Sequence, residues 1–171
     1  NIDDGWEAPE RTKGGEILSN DKFPDFKALT DYIHGLGLKF GIYSSPGATT
    51  CGGHVGSYQH EEIDARTWER WGVDYLKYDY CGYLDIEKDS KEETIQEPYI
   101  VMRNALDKVK RDIVFCVGYG APNVWNWAAE AGGNQWRTTR DITDEWNVVT
   151  AIGTFQDVCT DATAPGRNND P

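Results

Sequence analysis

The sequence predicts an α/β fold: a parallel (β/α)8 barrel of the TIM type, of which these 171 residues supply only part. Three observations carry that expectation. Strand-like apolar runs alternate with amphipathic helical stretches, the order that parallel strands joined by right-handed crossovers produce. Polar residues stand at the C-terminal end of nearly every strand-like run: Asp3 and Asp4, Ser44, Lys77 and Asp79, Tyr119, Arg137 and Asp141. A barrel gathers its functional groups from many strand ends on one face, whereas a doubly wound nucleotide binder needs a Gly-rich fingerprint after its first strand, and none is present. A closed barrel takes ~250 residues and only five or six strands are legible. Residues 1–171 are therefore expected to be a partial barrel domain, lacking the first and last units.

Taken in order, Asn1-Ile2-Asp3-Asp4-Gly5-Trp6 places two adjacent carboxylates before a turn glycine. Neighbouring side chains on extended backbone point to opposite faces, so at most one of the two can point straight inward. The other must hydrogen-bond sideways or reach solvent. Residues 7–22 read as a polar loop through Gly14-Gly15. Pro24-Asp25-Phe26 opens a helix with Phe26, Leu29, Ile33 and Leu36 at helical spacing, ended by Gly35 and Gly37. Leu38 to Tyr43 is the next strand, followed by a Gly-rich loop through Cys51-Gly52-Gly53, and Glu61 to Trp71 is a helix with Ile63, Ala65, Trp68 and Trp71 on its apolar side.

The central stretch is Asp74-Tyr75-Leu76-Lys77-Tyr78-Asp79-Tyr80-Cys81. Alternation along a strand puts Tyr75, Lys77 and Asp79 on one face. A cation and a carboxylate sharing a face either line a polar site or form a surface ion pair on an edge strand. A charged loop, Gly82 to Glu93, precedes a helix expected over Ile95 to Lys110. Ile113 to Val117 is apolar throughout, as a strand buried on both faces should be. Asn123 is placed to cap a short Trp-rich helix over Val124 to Ala131, Gln135 to Thr139 reads as a strand, Asp144 to Thr154 as a helix, and Ala164 to Pro171 as a loop. The chain opens inside a strand-end motif and stops without a closing element, which is the pattern expected of a fragment.

Seventeen basic against 29 acidic residues leave a net charge of −12, which argues against nucleic acid and anionic membrane surfaces as partners. No run approaches the ~20 apolar residues of a membrane span. Cys51, Cys81, Cys116 and Cys159 form no CxxC pair, and His34, His54 and His60 have no metal-binding spacing, so neither metal nor cofactor is expected. His34 is expected on a helix surface. No residue pattern sets an oligomeric state. Paired carboxylates on facing strand ends, with neither metal ligands nor a Ser-His pair, suit glycoside hydrolysis, which needs one ionised and one protonated carboxyl. Lys77, two residues from Asp79, favours the ionised form there and suits Asp79 as nucleophile; Asp141, past Arg137, is the candidate acid/base. Seven Trp and nine Tyr supply flat faces for sugar rings.

The segments Ile2-Asp3-Asp4-Gly5-Trp6, Gly37 to Tyr43, Thr50-Cys51-Gly52-Gly53, Trp71 to Asp79, Trp136 to Ile142 and Asn169-Asp170-Pro171 resemble glycoside hydrolase family 27, the α-galactosidases and α-N-acetylgalactosaminidases, in the family's order and across the chain. The resemblance implies a (β/α)8 barrel with a separate C-terminal β domain, the latter absent from these residues, and a retaining enzyme that removes terminal α-linked galactose from oligosaccharides or glycoconjugates by double displacement. It implies Asp79 as nucleophile and Asp141 as general acid/base. Asp3 and Asp4 would bind the 4- and 6-hydroxyls, Lys77 the 3- and 4-hydroxyls, and Arg137 the 2-hydroxyl. Cys51 and Cys81 would form a disulfide at the pocket rim, with Cα atoms ~4.4–6.8 Å apart, and Cys51 would also border the sugar. Asp170 matches a polar residue behind the site. A bridge would favour an exported protein, secreted or periplasmic. Where many relatives carry Cys-Glu-Trp, this chain has Val117-Gly118-Tyr119, so Tyr119 stands for a Trp wall and the small Gly118 and Ala121 are expected to leave room beside the sugar's 2-position. An N-acetylgalactosaminidase, another α-glycosidase of the family and a non-catalytic sugar-binding barrel are the alternatives.

Overall fold

In the computed structural model, which describes residues 1–171, every strand of the one sheet is parallel to its neighbours. The strands are β1 (Gly41–Ser44), β2 (Tyr75–Tyr78), β3 (Val114–Val117), β4 (Gln135–Arg137) and β5 (Asn168–Asp170), and they lie side by side in that order. On the far side of β1, Ile2 bridges Ile42 in parallel, its amide donating to Gly41 O at 3.0 Å. A doubly wound sheet reverses its order at a switch point. Here each strand is added beyond its predecessor without reversal, as in the wall of a barrel.

Helices α1 (Phe26–Gly35), α2 (Glu61–Trp71), α3 (Glu92–Leu106) and α4 (Trp146–Phe155) fill the crossovers. Asp25 caps α1 by accepting from the Ala28 amide, and Gly72 ends α2 at φ +87°, a left-handed conformation that costs glycine little. The outward residues of the strands meet α1, α2 and α3 in one core built around Trp6, Phe26, Trp68, Leu76, Tyr78, Phe115 and Trp136. Helix α4 has no buried residue, and Trp146 on it is 79% exposed.

Several local expectations need correction. The tail is not a loop: Asn168–Asp170 pairs with Gln135–Arg137 as β5, and three polar residues in a row gave no apolar signal for it. Asn123 caps nothing; it adopts φ +71° with no side-chain bond to the following turn, and the Trp-rich segment is a 3-10 turn over Val124–Asn126 rather than a helix to Ala131. Helix α3 begins at Glu92 and ends at Leu106, and β4 ends at Arg137. In β3, Phe115, Cys116 and Val117 are buried but Val114 is 43% exposed, because it opens the strand on the inner face below the row that holds Cys116.

His34 is also more than a surface residue. Its Nε2 lies 2.7 Å from the buried Asp74 carboxylate, which also accepts from the Phe40 amide (2.9 Å), Lys39 (3.3 Å) and Arg111 (2.6 Å). This joins α1, the entry to β1, the entry to β2 and the α3–β3 turn. Burial alone would raise the Asp74 carboxyl, but the Phe40 amide, His34 and Arg111 outweigh it and hold it at about 2. A depressed carboxyl stabilises the fold above its unfolded value and loses that contribution as pH falls toward 2. Asp74→Asn should therefore cost about 1–2 kcal/mol at pH 7, after allowance for solvent screening, with the deficit closing between pH 4 and 2. Denaturant melts across that range measure it.

Candidate active site

Strand register decides which side chains share the inner face. Tyr43, Lys77, Cys116, Gln135 and Asn168 stand in one row. Two residues further along the strands, Asp79, Gly118, Arg137 and Asp170 stand in the next row, at the C-terminal mouth. Tyr75, Lys77 and Asp79 are part-exposed while Leu76 and Tyr78 are buried, so the alternation expected from the sequence holds.

Asp79 is held from four sides. Its Oδ2 accepts from Tyr43 Oη at 3.0 Å, its Oδ1 accepts from the Tyr80 amide at 2.9 Å, and its backbone carbonyl accepts from Tyr99 Oη at 3.1 Å. Cys51 Sγ lies 3.3 Å from Oδ2. Burial, followed by the negative charges of Asp79 and Asp4, pushes the Tyr43 phenol above its ordinary value, so it remains a donor. Trp6, fully buried, donates from Nε1 to Tyr43 O at 2.9 Å and fixes the residue that holds Asp79. Tyr43 and Tyr99 were missed as site residues. Tyr43 shares the inner face with Lys77 through the β1–β2 register, which sequence alternation within one strand does not reveal.

Lys77 does not pair with Asp79, as its spacing suggested. Its ammonium sits 2.6 Å from Asp3 Oδ2 and 5.3 Å from the centre of the Tyr43 ring. Burial would raise the Asp3 carboxyl, yet Lys77 and the Asp4 amide overcome it and leave Asp3 below its ordinary value. Asp4 turns sideways: Oδ2 accepts from the Gly52 amide at 2.6 Å, and Oδ1 is buried without a partner. Cys51 and Cys81 are bridged with Cα atoms 5.0 Å apart, so their sulfurs, although within 4.8 Å of an Asp79 oxygen, are not available to a metal ion. The bridge fastens two loops in close contact; a Cβ on Gly47 would sit 2.4 Å from Gly82 Cα.

Asp141 lies four residues beyond β4, its side chain 94% exposed, with Oδ1 2.6 Å from Arg137 Nη2. Asp79, Cys81, Tyr119, Arg137 and Asp141 all line one open cleft of about 330 Å³. Asp3, Asp4, Lys77 and Cys51 do not line it; they join it through the Asp3–Lys77 pair, the Gly52 amide and the Cys51–Asp79 contact. Tyr119 borders the cleft but packs edge-on against Tyr80, ring centres 4.8 Å apart. Asp170 is half-buried; burial raises its carboxyl, and Lys77 and Arg137 pull the other way. Gly118 does not open room: a Cβ there would come 2.8 Å from Tyr78 O and 2.9 Å from Asp79 Cα. The glycine lets β3 approach β2 closely where Asp79 emerges.

Fold and site together define a class: a barrel segment that brings two carboxylates and a guanidinium to one mouth, with an ammonium on the same face one row below. A family model described as alpha galactosidase A, Melibiase_2, matches residues 1–171, and the chain belongs to that family, glycoside hydrolase family 27. An alpha-galactosidase of Cyamopsis tetragonoloba is 42% identical over all of this chain and 41% of its own length. The crystal structure of alpha-galactosidase I from Mortierella vinacea superposes with a TM-score of 0.79 at 40% identity, covering 85% of this chain and 37% of that one. An alpha-galactosidase of Saccharomyces cerevisiae solved with raffinose gives a TM-score of 0.77 at 31% identity, covering 84% of this chain and 31% of that one. The chain thus spans well under half the length of these relatives.

Proposed function

We propose that residues 1–171 supply the reacting wall of a longer barrel enzyme that hydrolyses terminal α-galactosides with retention of configuration. The observation that carries this reading is that Asp79 and Asp141 line the same cleft, with Arg137 beside Asp141. In the first step an Asp79 oxygen attacks the anomeric carbon as the bond to the leaving oxygen breaks, and Asp141 gives that oxygen its proton. In the second, Asp141 takes a proton from water as the water oxygen displaces Asp79 from carbon.

The surroundings suit these roles. Tyr43 and the Tyr80 amide orient the Asp79 carboxylate without supplying a competing charge. Asp141, on the solvent side, can exchange protons and meet incoming water, while Arg137 sets its direction. Asp3 paired with Lys77, and Asp4 on the Gly52 amide, offer charged acceptors and a donor for ring hydroxyls. The acidic chain suits a neutral oligosaccharide or glycoside substrate rather than nucleic acid. No helix is long and apolar enough to cross a membrane, and the Cys51–Cys81 bridge favours a secreted or periplasmic location.

The test is to follow nitrophenyl α-galactoside hydrolysis by proton NMR, using the whole protein that contains these residues. The first sugar released should be α-galactose, turning to β only as it mutarotates. Initial β-galactose, the outcome of carboxylates set ~6.5–9.5 Å apart for inversion, would remove the assignment of Asp79 as nucleophile.

A further inference from the structure

Glu7 has no part in the chemistry above, yet it is 2% exposed and lies directly behind the pair Asp3-Asp4. Its side chain folds back over the turn that follows them, and Oε2 accepts from the Gly5 amide at 3.0 Å. Oε1 is buried with no hydrogen-bond partner. The group faces a cavity of about 440 Å³ bordered by Asn20, Thr49, His54 and Val55. The turn itself is tight: Gly5 sits at φ +97°, and a Cβ there would lie 3.4 Å from His54 Nε2. Asn20 fixes its outer side by donating to Gly5 O at 2.9 Å. The turn's two ends lead to the site, Asp4 to the Gly52 amide and Trp6 to the carbonyl of Tyr43.

We propose that Glu7 is a positioning residue that clamps the Asp4-Gly5-Trp6 turn and so sets the direction in which Asp3 and Asp4 meet the sugar. This rests on the reading of Asp3 and Asp4 as hydroxyl acceptors. Trp6 is anchored independently by complete burial, so loosening Glu7 frees the Asp3-Asp4 end of the turn and leaves the Tyr43–Asp79 contact in place. The titratable groups facing Glu7 are Asp4 on its own segment and His54 across the cavity. Burial, with Asp4 adding to it and the turn's amides opposing, raises the Glu7 carboxyl to about 7. The Gly5 amide favours the ionised carboxyl, which accepts more strongly than the neutral acid, so the clamp tightens as pH rises through neutrality.

The experiment compares Glu7→Ala and Glu7→Gln in the whole protein by kcat, KM and the inhibition constant of free galactose between pH 5 and 8.5. Glu7→Ala should raise KM and the galactose constant about 10-fold at pH 6 with kcat held within about 3-fold. Glu7→Gln keeps the acceptor and should match the parent at pH 6 to within about 2-fold. The parent's galactose constant should fall as pH passes 7, and in Glu7→Gln it should stay flat. A flat profile in the parent, a galactose constant unmoved by Glu7→Ala, or kcat falling as much as KM rises would overturn the assignment. Should Glu7→Ala fail to fold, the Glu7→Gln profile decides alone. A parent that cleaves no α-galactoside and binds no galactose would overturn the glycosidase reading and this inference with it, whereas a fully active parent with unresponsive Glu7 variants would overturn only the inference.

Discussion

Asp79→Asn is expected to reduce turnover of every α-galactoside by on the order of 10⁴-fold while galactose still binds. The substitution keeps size and the bond from the Tyr80 amide, with the new NH2 turned toward the Tyr43 hydroxyl, which then accepts, but an amide oxygen does not form the glycosyl ester. The loss should be the same for good and poor leaving groups, since the missing bond is required whatever departs. Asp79→Gly gives a sharper result. With the carboxylate removed, a small anion such as azide can occupy its place and attack the anomeric carbon from that side. Nitrophenyl α-galactoside should then yield β-galactosyl azide, and water-derived galactose should remain negligible. α-Galactosyl azide from this variant would contradict the assignment, because it would mean that another group had already formed the β-linked intermediate.

Asp79 and Arg137 were legible as candidates because barrel chemistry concentrates at strand ends, and strand ends can be found from period-two alternation; Asp141, four residues beyond β4, was read only from its place past Arg137. Asp79, Arg137 and Asp141 line one cleft, and Lys77 shares the inner face one row below them, whereas Trp136 points into the outer core. What was not legible is which partner each charge takes. Sequence spacing placed Lys77 beside Asp79, but i and i+2 on a strand are some 7 Å apart along the chain, while Asp3 arrives from the other side of β1 at 2.6 Å. The same blindness hid β5: Asn168–Asp170 carries no apolar residue, and it is a strand because β4 already offers an edge to pair with. Gly118 was misread for a related reason. A small residue beside a pocket suggests space, but here the space is filled by the backbone of Tyr78 and Asp79. Glycine can mean that two chains touch as readily as that a ligand fits. Glu7 escaped notice because an acidic residue in a polar loop looks solvated, and only the folded chain shows it sealed beneath Asp4 and beside the loop of His54.

Asp141→Ala is expected to separate substrates that Asp79 variants treat alike. A sugar leaving group departs as a poor alkoxide unless it is protonated, so cleavage of an α-galactosyl oligosaccharide should fall by about 10³-fold, within the usual reach of general acid catalysis. Dinitrophenolate needs no proton to leave. With that substrate the first step should survive, the galactosyl ester on Asp79 should accumulate, and KM should drop as the second step becomes limiting. Azide restores the second step without needing a base, and because it attacks the β-linked ester from the opposite side it should give α-galactosyl azide. The two rescue products are thus mirror outcomes at one carbon: β from Asp79→Gly, α from Asp141→Ala. The pairing of Asp141 with Arg137 adds a control. Arg137→Lys should retain a cation beside the acid but lose its fixed direction, slowing sugar leaving groups more than dinitrophenyl. If Asp141→Ala slowed both substrate classes equally and azide restored neither, Asp141 would only steady Arg137, and the proton donor would have to be sought elsewhere on the mouth of the barrel.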